Sequence, residues 1–160
     1  MYLSVRPRRL RRNETLRRLT RETRVSVDNL VLPLFVREEA HGRKAITSMP
    51  GQYQWGLAEV ADAAARAADA GIPAVLLFGI PAHKDAEGSS AWQRDSAVCR
   101  AVEAIKQRTP GLCVITDVCL CEYTDHGHCG LLYQNRDGAP DVDNDATVEV
   151  LAKEALAHAD

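Results

Sequence analysis

Aromatic residues are scarce in this sequence: two Trp, four Tyr and two Phe make up 5% of 160 residues. None is interleaved among the arginines near the start, so no ladder for stacking unpaired bases exists there, and nucleic acid is not an expected partner. No run approaches the ~18 apolar residues of a membrane-crossing helix, and no apolar segment of the signal-peptide type opens the sequence. Membrane and secreted classes are therefore disfavoured, and a cytoplasmic setting is expected. Paired C-x-x-C knuckles are missing too. With no secretion signal, five cysteines point to a reducing compartment, where metal binding or catalysis outranks disulfides.

Against these absences stands an ordinary globular composition, 46% hydrophobic and 26% charged, long enough for one domain with a real core. The net charge of −2 hides an asymmetry. Residues 1–24 hold nine arginines (6, 8, 9, 11, 12, 17, 18, 21 and 24) against Glu14 and Glu22, a net of +7, so the rest carries −9. Such an arm can contact nucleic acid or a membrane, act as an organellar leader, dock on an acidic neighbouring subunit, or stay solvated. Subunit docking is the leading expectation.

Leu30-Val-Leu-Pro-Leu-Phe-Val36 is a short apolar run of the kind that forms a buried strand, although Pro33 needs a position where no N–H is required. Residues 47–56, with their Pro-Gly pair, read as a loop. Leu57, Val60, Ala61, Ala64, Ala67 and Ala68 recur at helical spacing up to Gly71-Ile-Pro73. Ala74–Ile80 reads as a second strand, Pro81–Ser90 as a polar loop, and Ala97, Val98, Ala101, Val102 and Ile105 as a second helix stopped by Pro110-Gly111. Cys113–Leu120 reads as a third strand, rich in β-branched residues. A long loop over 121–144 follows, then a helix with Val148, Leu151, Ala152, Ala155 and Leu156 on its apolar face and Asp145 as N-cap.

This strand–helix alternation predicts an α/β fold of parallel strands covered by helices, either open and doubly wound or an eight-stranded barrel. The last helical pattern runs to Asp160 with no stop signal, and three parallel strands leave open edges and half a core. The sequence is accordingly expected to be cut short.

In parallel α/β folds, chemistry sits at the carboxyl ends of the strands. The third strand runs into Asp117-Val-Cys-Leu-Cys-Glu-Tyr-Thr-Asp-His-Gly-His-Cys-Gly130, with thiols spaced C-x-C-x7-C. In an extended strand Cys119 and Cys121 share a face, and a loop loosened by Gly127 can return Cys129 to them. Three thiolates suit zinc, and a free fourth position is what a catalytic zinc site needs. His126 or His128 could instead close a structural site. Asp117 is a candidate general acid, base or orienter, or else a strand-end carboxylate satisfied by loop amides. Lys84 could form a Schiff base but is expected to make a solvated pair with Asp85. Phe78 is expected in the core, with pocket lining as the alternative. Cys99 and Cys113 read as buried small apolar side chains.

The segment Asp117–Leu131 resembles the metal-binding signature of zinc-type porphobilinogen synthases (5-aminolevulinate dehydratases). Arg8-Arg-Leu-Arg11, Arg21-Glu-Thr23, Leu32-Pro-Leu-Phe-Val36, Ser48-Met-Pro-Gly51, Leu77-Phe-Gly79, Lys84-Asp85, Gly88-Ser89 and Val142-Asp-Asn-Asp-Ala146 fit the same family in order. The resemblance implies an eight-stranded α/β barrel preceded by an arm that wraps a neighbouring subunit, assembled as an octamer. Residues 1–29 would be the arm, and residues 30–160 the first three βα units of a truncated barrel. The implied reaction condenses two 5-aminolevulinates into porphobilinogen, on the route to haem. Cys119, Cys121 and Cys129 would be the Zn2+ ligands, Asp117 the active-site aspartate and Phe78 a pocket residue. In the family, two lysines of later strands hold the substrates as Schiff bases, and none of Lys44, Lys84, Lys106 or Lys153 matches their motifs. Residues 1–160 alone are therefore expected to be inactive. A non-catalytic zinc-binding or assembly module of the same fold is the alternative.

Overall fold

The apolar runs pair as expected, and a computed structural model describes residue 4 and residues 8–160. Arg6 of the basic arm lies outside the described residues. Strand β1 (Val31–Arg37) and strand β4 (Ala74–Ile80) run parallel in unbroken register from Val31 opposite Ala74 to Arg37 opposite Ile80. Strand β5 (Cys113–Thr116) continues the parallel sheet beyond β4. On the other side of β1 lie β3 (Tyr53–Trp55), parallel, and β2 (Arg43–Ala45), antiparallel, giving the order β2-β3-β1-β4-β5. Pro33 precedes the two positions, Phe35 and Val36, at which β3 pairs, so it interrupts no ladder on that side.

Helices α2 (Leu57–Asp69) and α3 (Ala97–Arg108) cover one face of this sheet. The helical spacing of Leu57, Val60, Ala61, Ala64 and Ala67 puts one stripe against Leu34, Val36, Val75 and Leu77, all of them buried. Helix α2 closes on Gly71, whose φ of +83° lets the Gly71 and Ile72 N–H groups return to the Ala68 and Ala67 carbonyls. Helix α3 is capped by Ser96, which accepts the Cys99 N–H at 3.3 Å.

Strand alternation turns Val31, Pro33, Phe35, Leu76, Phe78, Cys113 and Ile115 to the opposite face. There Phe35 and Phe78, cross-strand neighbours, stack with centroids 5.5 Å apart, while Val31 and Ile115 remain 45% and 40% exposed. Cys113, expected to be buried, is exposed because it lies on this uncovered face. Cys99 is buried as expected.

Four element boundaries differ from the sequence reading. The third strand stops at Thr116 rather than Leu120, and its last sheet contact is the Asp117 N–H on the Leu77 carbonyl at 3.1 Å. The 47–56 segment contains β3, which the Pro-Gly pair masks. The 121–144 segment contains a hairpin of β6 (Leu132–Gln134) and β7 (Pro140–Val142). The last helix, α4 (Asn144–Ala159), is capped by Asp143, which accepts the Ala146 N–H at 3.0 Å, instead of by Asp145.

The buried face of α4 is also displaced from the expected one. Thr147, Val150 and Glu154 are buried, whereas Val148 and Leu156 are 56% and 67% exposed. Docking decides this: Val150 packs into a second cluster with Ala91, Leu120 and Tyr123, and that contact carries Glu154 inward. In the basic arm, Asn13 caps helix α1 (Glu14–Thr20), and Glu14 pairs with Arg17 at 2.8 Å. No residue of α1 is buried.

Glu154 is fully buried, and neither carboxylate oxygen reaches hydrogen-bond geometry with a donor. Burial raises its pKa to about 8, with the nearby Cys119 N–H pulling the other way. A carboxyl raised in the folded state contributes stability that is complete below its unfolded value near 4.5 and is lost as pH rises toward about 8. Glu154→Gln removes this titration. Its stability should therefore exceed that of the unaltered chain at pH 8.5, by roughly 1–3 kcal/mol, with the gap closing near pH 4.5. Urea unfolding at the two pH values measures this, and a gap that does not change with pH would contradict it.

Candidate metal centre

Beyond Thr116 the chain leaves the sheet and turns sharply, so strand alternation is not what aligns the thiols. The turn is built on Leu120, which is fully buried, and whose carbonyl accepts the Tyr123 and Thr124 N–H groups at 2.9 Å each. With Leu120 pointing inward, its two neighbours come together on the outside: the Cys119 and Cys121 sulfurs are 3.4 Å apart. The chain then reverses through Gly127, at φ +73°, and returns Cys129. All three sulfurs lie within 4.8 Å of one another.

Among the described residues no histidine or carboxylate joins this cluster. His126 and His128, which could have closed a four-ligand site, lie against each other with their rings tilted by 38° and centroids 5.5 Å apart. Three soft donors converging without a fourth protein ligand fit a thiophilic divalent ion with one position open to water or substrate. Burial pushes the Cys119 thiol up to about 12, with the other two thiols adding to the rise, and burial raises Cys121 as well, where the Cys119 thiol opposes and Cys129 adds. A cation binding here must displace those protons.

The surroundings are acidic. Glu122, which sequence reasoning did not single out, is raised to about 7, first by burial and then by Asp117, with Lys84 opposing. Its signal was available only as one more acid beside a cysteine. Among the described residues Lys84 does not form the expected ion pair with Asp85; its charge is felt at Glu122. The Asp85 carboxylate instead accepts the Ser89 hydroxyl and the Glu87 and Ser89 N–H groups, and these bonds lower its pKa. Asp117 sits half-buried at the carboxyl end of the sheet; burial holds His158 below the usual imidazole value, with the Asp117 charge opposing. Phe78 lies on the uncovered face one strand away, stacked on Phe35 and separate from the thiol cluster.

A delta-aminolevulinic acid dehydratase family profile matches residues 4–160. The chain belongs to that family. It is 49% identical over 153 residues to a delta-aminolevulinic acid dehydratase of Ruminiclostridium josui, a match covering 96% of this chain and 72% of that protein. It is 46% identical over 151 residues to the Escherichia coli K12 delta-aminolevulinic acid dehydratase, covering 94% of this chain and 45% of that one. The fold is similar to a crystal structure of the delta-aminolevulinic acid dehydratase (porphobilinogen synthase) of Toxoplasma gondii in complex with its reaction product porphobilinogen. The TM-score is 0.86 at 32% identity, covering 98% of this chain and 44% of that one. The chain thus spans about half the length of the E. coli and T. gondii dehydratases. The mixed α/β architecture with a parallel sheet is shared with that dehydratase structure. Among the described residues no helix is long and apolar enough to cross a membrane.

If the three sulfurs are the metal ligands, Cys129→Ala leaves two thiolates, which seldom retain zinc. Zinc measured after dialysis against a weak chelator should fall from about one ion per chain to near zero. Undiminished zinc would disprove the ligand set.

Proposed function

We propose that this chain carries the zinc-binding half of a porphobilinogen synthase active site, the enzyme that condenses two 5-aminolevulinates into porphobilinogen in tetrapyrrole (haem) biosynthesis. The carrying observation is the convergence of Cys119, Cys121 and Cys129 at the carboxyl end of a parallel sheet, in a chain of this family. Zn2+ is the proposed ion because three thiolates favour it over oxygen-seeking cations. Bound there, it would supply Lewis-acid polarisation of a substrate carbonyl or hydroxyl.

The remaining work falls to side chains. Asp117, at the end of β5, is proposed to orient a substrate amino group or to hold a proton at its carboxylate. Phe78 and Phe35 together would form an apolar floor that keeps water from the condensing carbons. This reading treats the uncovered sheet face as the interior of an eight-stranded barrel, of which residues 30–160 are the first three βα units. Partly exposed Val31 and Ile115 on that face support it, since a water-facing sheet surface would be polar. The two Schiff-base lysines of the mechanism would come from later strands. A cytoplasmic, homo-octameric enzyme without nucleic-acid or membrane partners is the accompanying proposal.

A chimera tests this function: residues 1–160 replace the matching stretch of the E. coli relative. It should form porphobilinogen in a zinc-dependent way, whereas residues 1–160 alone should give no product and no borohydride-trapped adduct with 5-aminolevulinate. A folded but inactive chimera, or an adduct on Lys84 of the isolated chain, would overturn the proposal.

Residues 1–29 are proposed as an arm for subunit contact, supported by an α1 that buries no residue of its own. Removing residues 1–24 should lower the assembly mass seen by light scattering and leave the far-ultraviolet dichroism of the remainder intact. An unchanged mass would contradict this role.

A further inference from the structure

Both ring nitrogens of His126 are engaged. The His128 backbone N–H donates to its Nδ1 at 3.1 Å, so Nδ1 carries a lone pair and no proton. Its Nε2 lies 3.1 Å from the Ala86 carbonyl, which can only accept, so Nε2 carries the proton. The ring is therefore a single neutral tautomer, with no lone pair left for a cation.

The two bonds connect particular pieces of chain. Ala86 belongs to a segment made stiff by Asp85, whose carboxylate holds the Glu87 and Ser89 N–H groups at 3.0 Å each. That segment already touches the thiol loop, because the Asp125 N–H donates to the Asp85 carbonyl at 3.0 Å. Gly88 sits close beneath the loop, where an added Cβ would lie 3.3 Å from both Tyr123 and Thr124. On the far side of the imidazole, His128 also accepts the Thr124 hydroxyl at 2.9 Å through its carbonyl. The next residue is Cys129, the most exposed of the three thiols.

We propose that His126 is a positioning residue: as a neutral Nε2–H imidazole it ties the 124–129 turn to the 85–89 segment and thereby presents Cys129 to Cys119 and Cys121, without being a metal ligand. The proposal rests on the reading of the three thiols as a metal site. It extends that reading to the feature the site most needs, a fixed return path for its most exposed donor. Partners that orient a ligand from outside the coordination sphere are typically worth about 10–100-fold in metal affinity.

The test is zinc affinity of the full chain, measured by competition with a chromophoric chelator. His126→Ala should bind zinc about 10–100-fold more weakly. His126→Gln can keep the donor to Ala86, and His126→Asn the acceptor for His128, so each should recover part of that loss. His126→Leu matches the ring in bulk, makes neither bond, and should behave like alanine. Affinity within twofold of the unaltered chain for the alanine or leucine variant would overturn the proposal, as would failure of both amide variants to recover any affinity. Loaded with cobalt(II), the alanine variant at saturation should show the d–d spectrum of the unaltered chain; a changed spectrum would make His126 a ligand and overturn it too. Should the variants fold poorly, long-range 1H–15N NMR on the metal-free unaltered chain decides: an Nε2–H tautomer is expected, and an Nδ1–H tautomer or an averaged ring overturns the proposal. An unaltered chain that binds no zinc but shows the Nε2–H tautomer would instead sink the metal-site reading and leave the tether standing.

Discussion

The thiol cluster hangs on the burial of one leucine. Leu120 separates Cys119 from Cys121 in sequence, and its side chain is fully enclosed among Ala91, Tyr123 and Val150. Burying a leucine contributes roughly 2–3 kcal/mol, and here that energy also sets the direction of its two neighbours. A residue driven inward at the middle of a tight turn forces both flanking side chains outward on the same side. The glycines around it serve the same packing. At Gly79 a Cβ would fall 2.2 Å from the Tyr123 hydroxyl, so only glycine on β4 leaves room for the ring that covers Leu120. Gly130 is equally tight against Thr147 and Val142, which fixes the exit of the loop against α4 and β7.

The electrostatics of the region oppose that geometry until a cation is present. The three sulfurs lie within 4.8 Å in a partly dehydrated place, which favours the protonated forms of Cys119 and Cys121, and Cys119 is pushed up to about 12. Around them, burial and then the Asp117 charge raise Glu122, with Lys84 opposing, and burial followed by the Glu122 and Asp117 charges raises Glu154. A folded chain gains nothing from concentrating acids and thiols in this way unless something positive completes the arrangement. The soft sulfur donors choose the kind of ion, and the carboxylates add a long-range field that any cation would relieve.

Much of this was readable in the sequence. The three apolar runs, the two alanine-rich helical stripes and the C-x-C-x7-C spacing all carry strong local signals, because burial periodicity and cysteine clustering leave marks in single segments. The misreadings share one cause: tertiary contacts decided them. Cys113–Leu120 has the β-branched composition of a long strand, yet the demand to bury Leu120 ends the strand at Thr116. The apolar stripe of the last helix predicted a buried face containing Val148 and Leu156, but docking of Val150 on Leu120 and Tyr123 rotated the helix. Lys84 and Asp85 are adjacent in sequence, and only the fold reveals that the Asp85 carboxylate is taken by Ser89 and Glu87. Short strands such as Tyr53–Trp55 exist because β1 offers an edge, and no three-residue window can announce that.

The rotation of α4 and the bare sheet face belong to one problem. A parallel sheet of this kind needs cover on both faces, and α2 and α3 supply only one. The other face presents Phe35, Phe78 and Ile115, while α4 presents Val148 and Leu156 outward. Placing Glu154 inside while leaving leucine outside is unfavourable for an isolated domain by several kcal/mol. The cost becomes intelligible when both apolar surfaces are faces on which a longer polypeptide continues, as in the relatives of about twice this length. On that reading the inward face of α4 serves the thiol loop and its outward face the rest of the polypeptide. Glu154 then marks where those two demands could not both be met by apolar side chains.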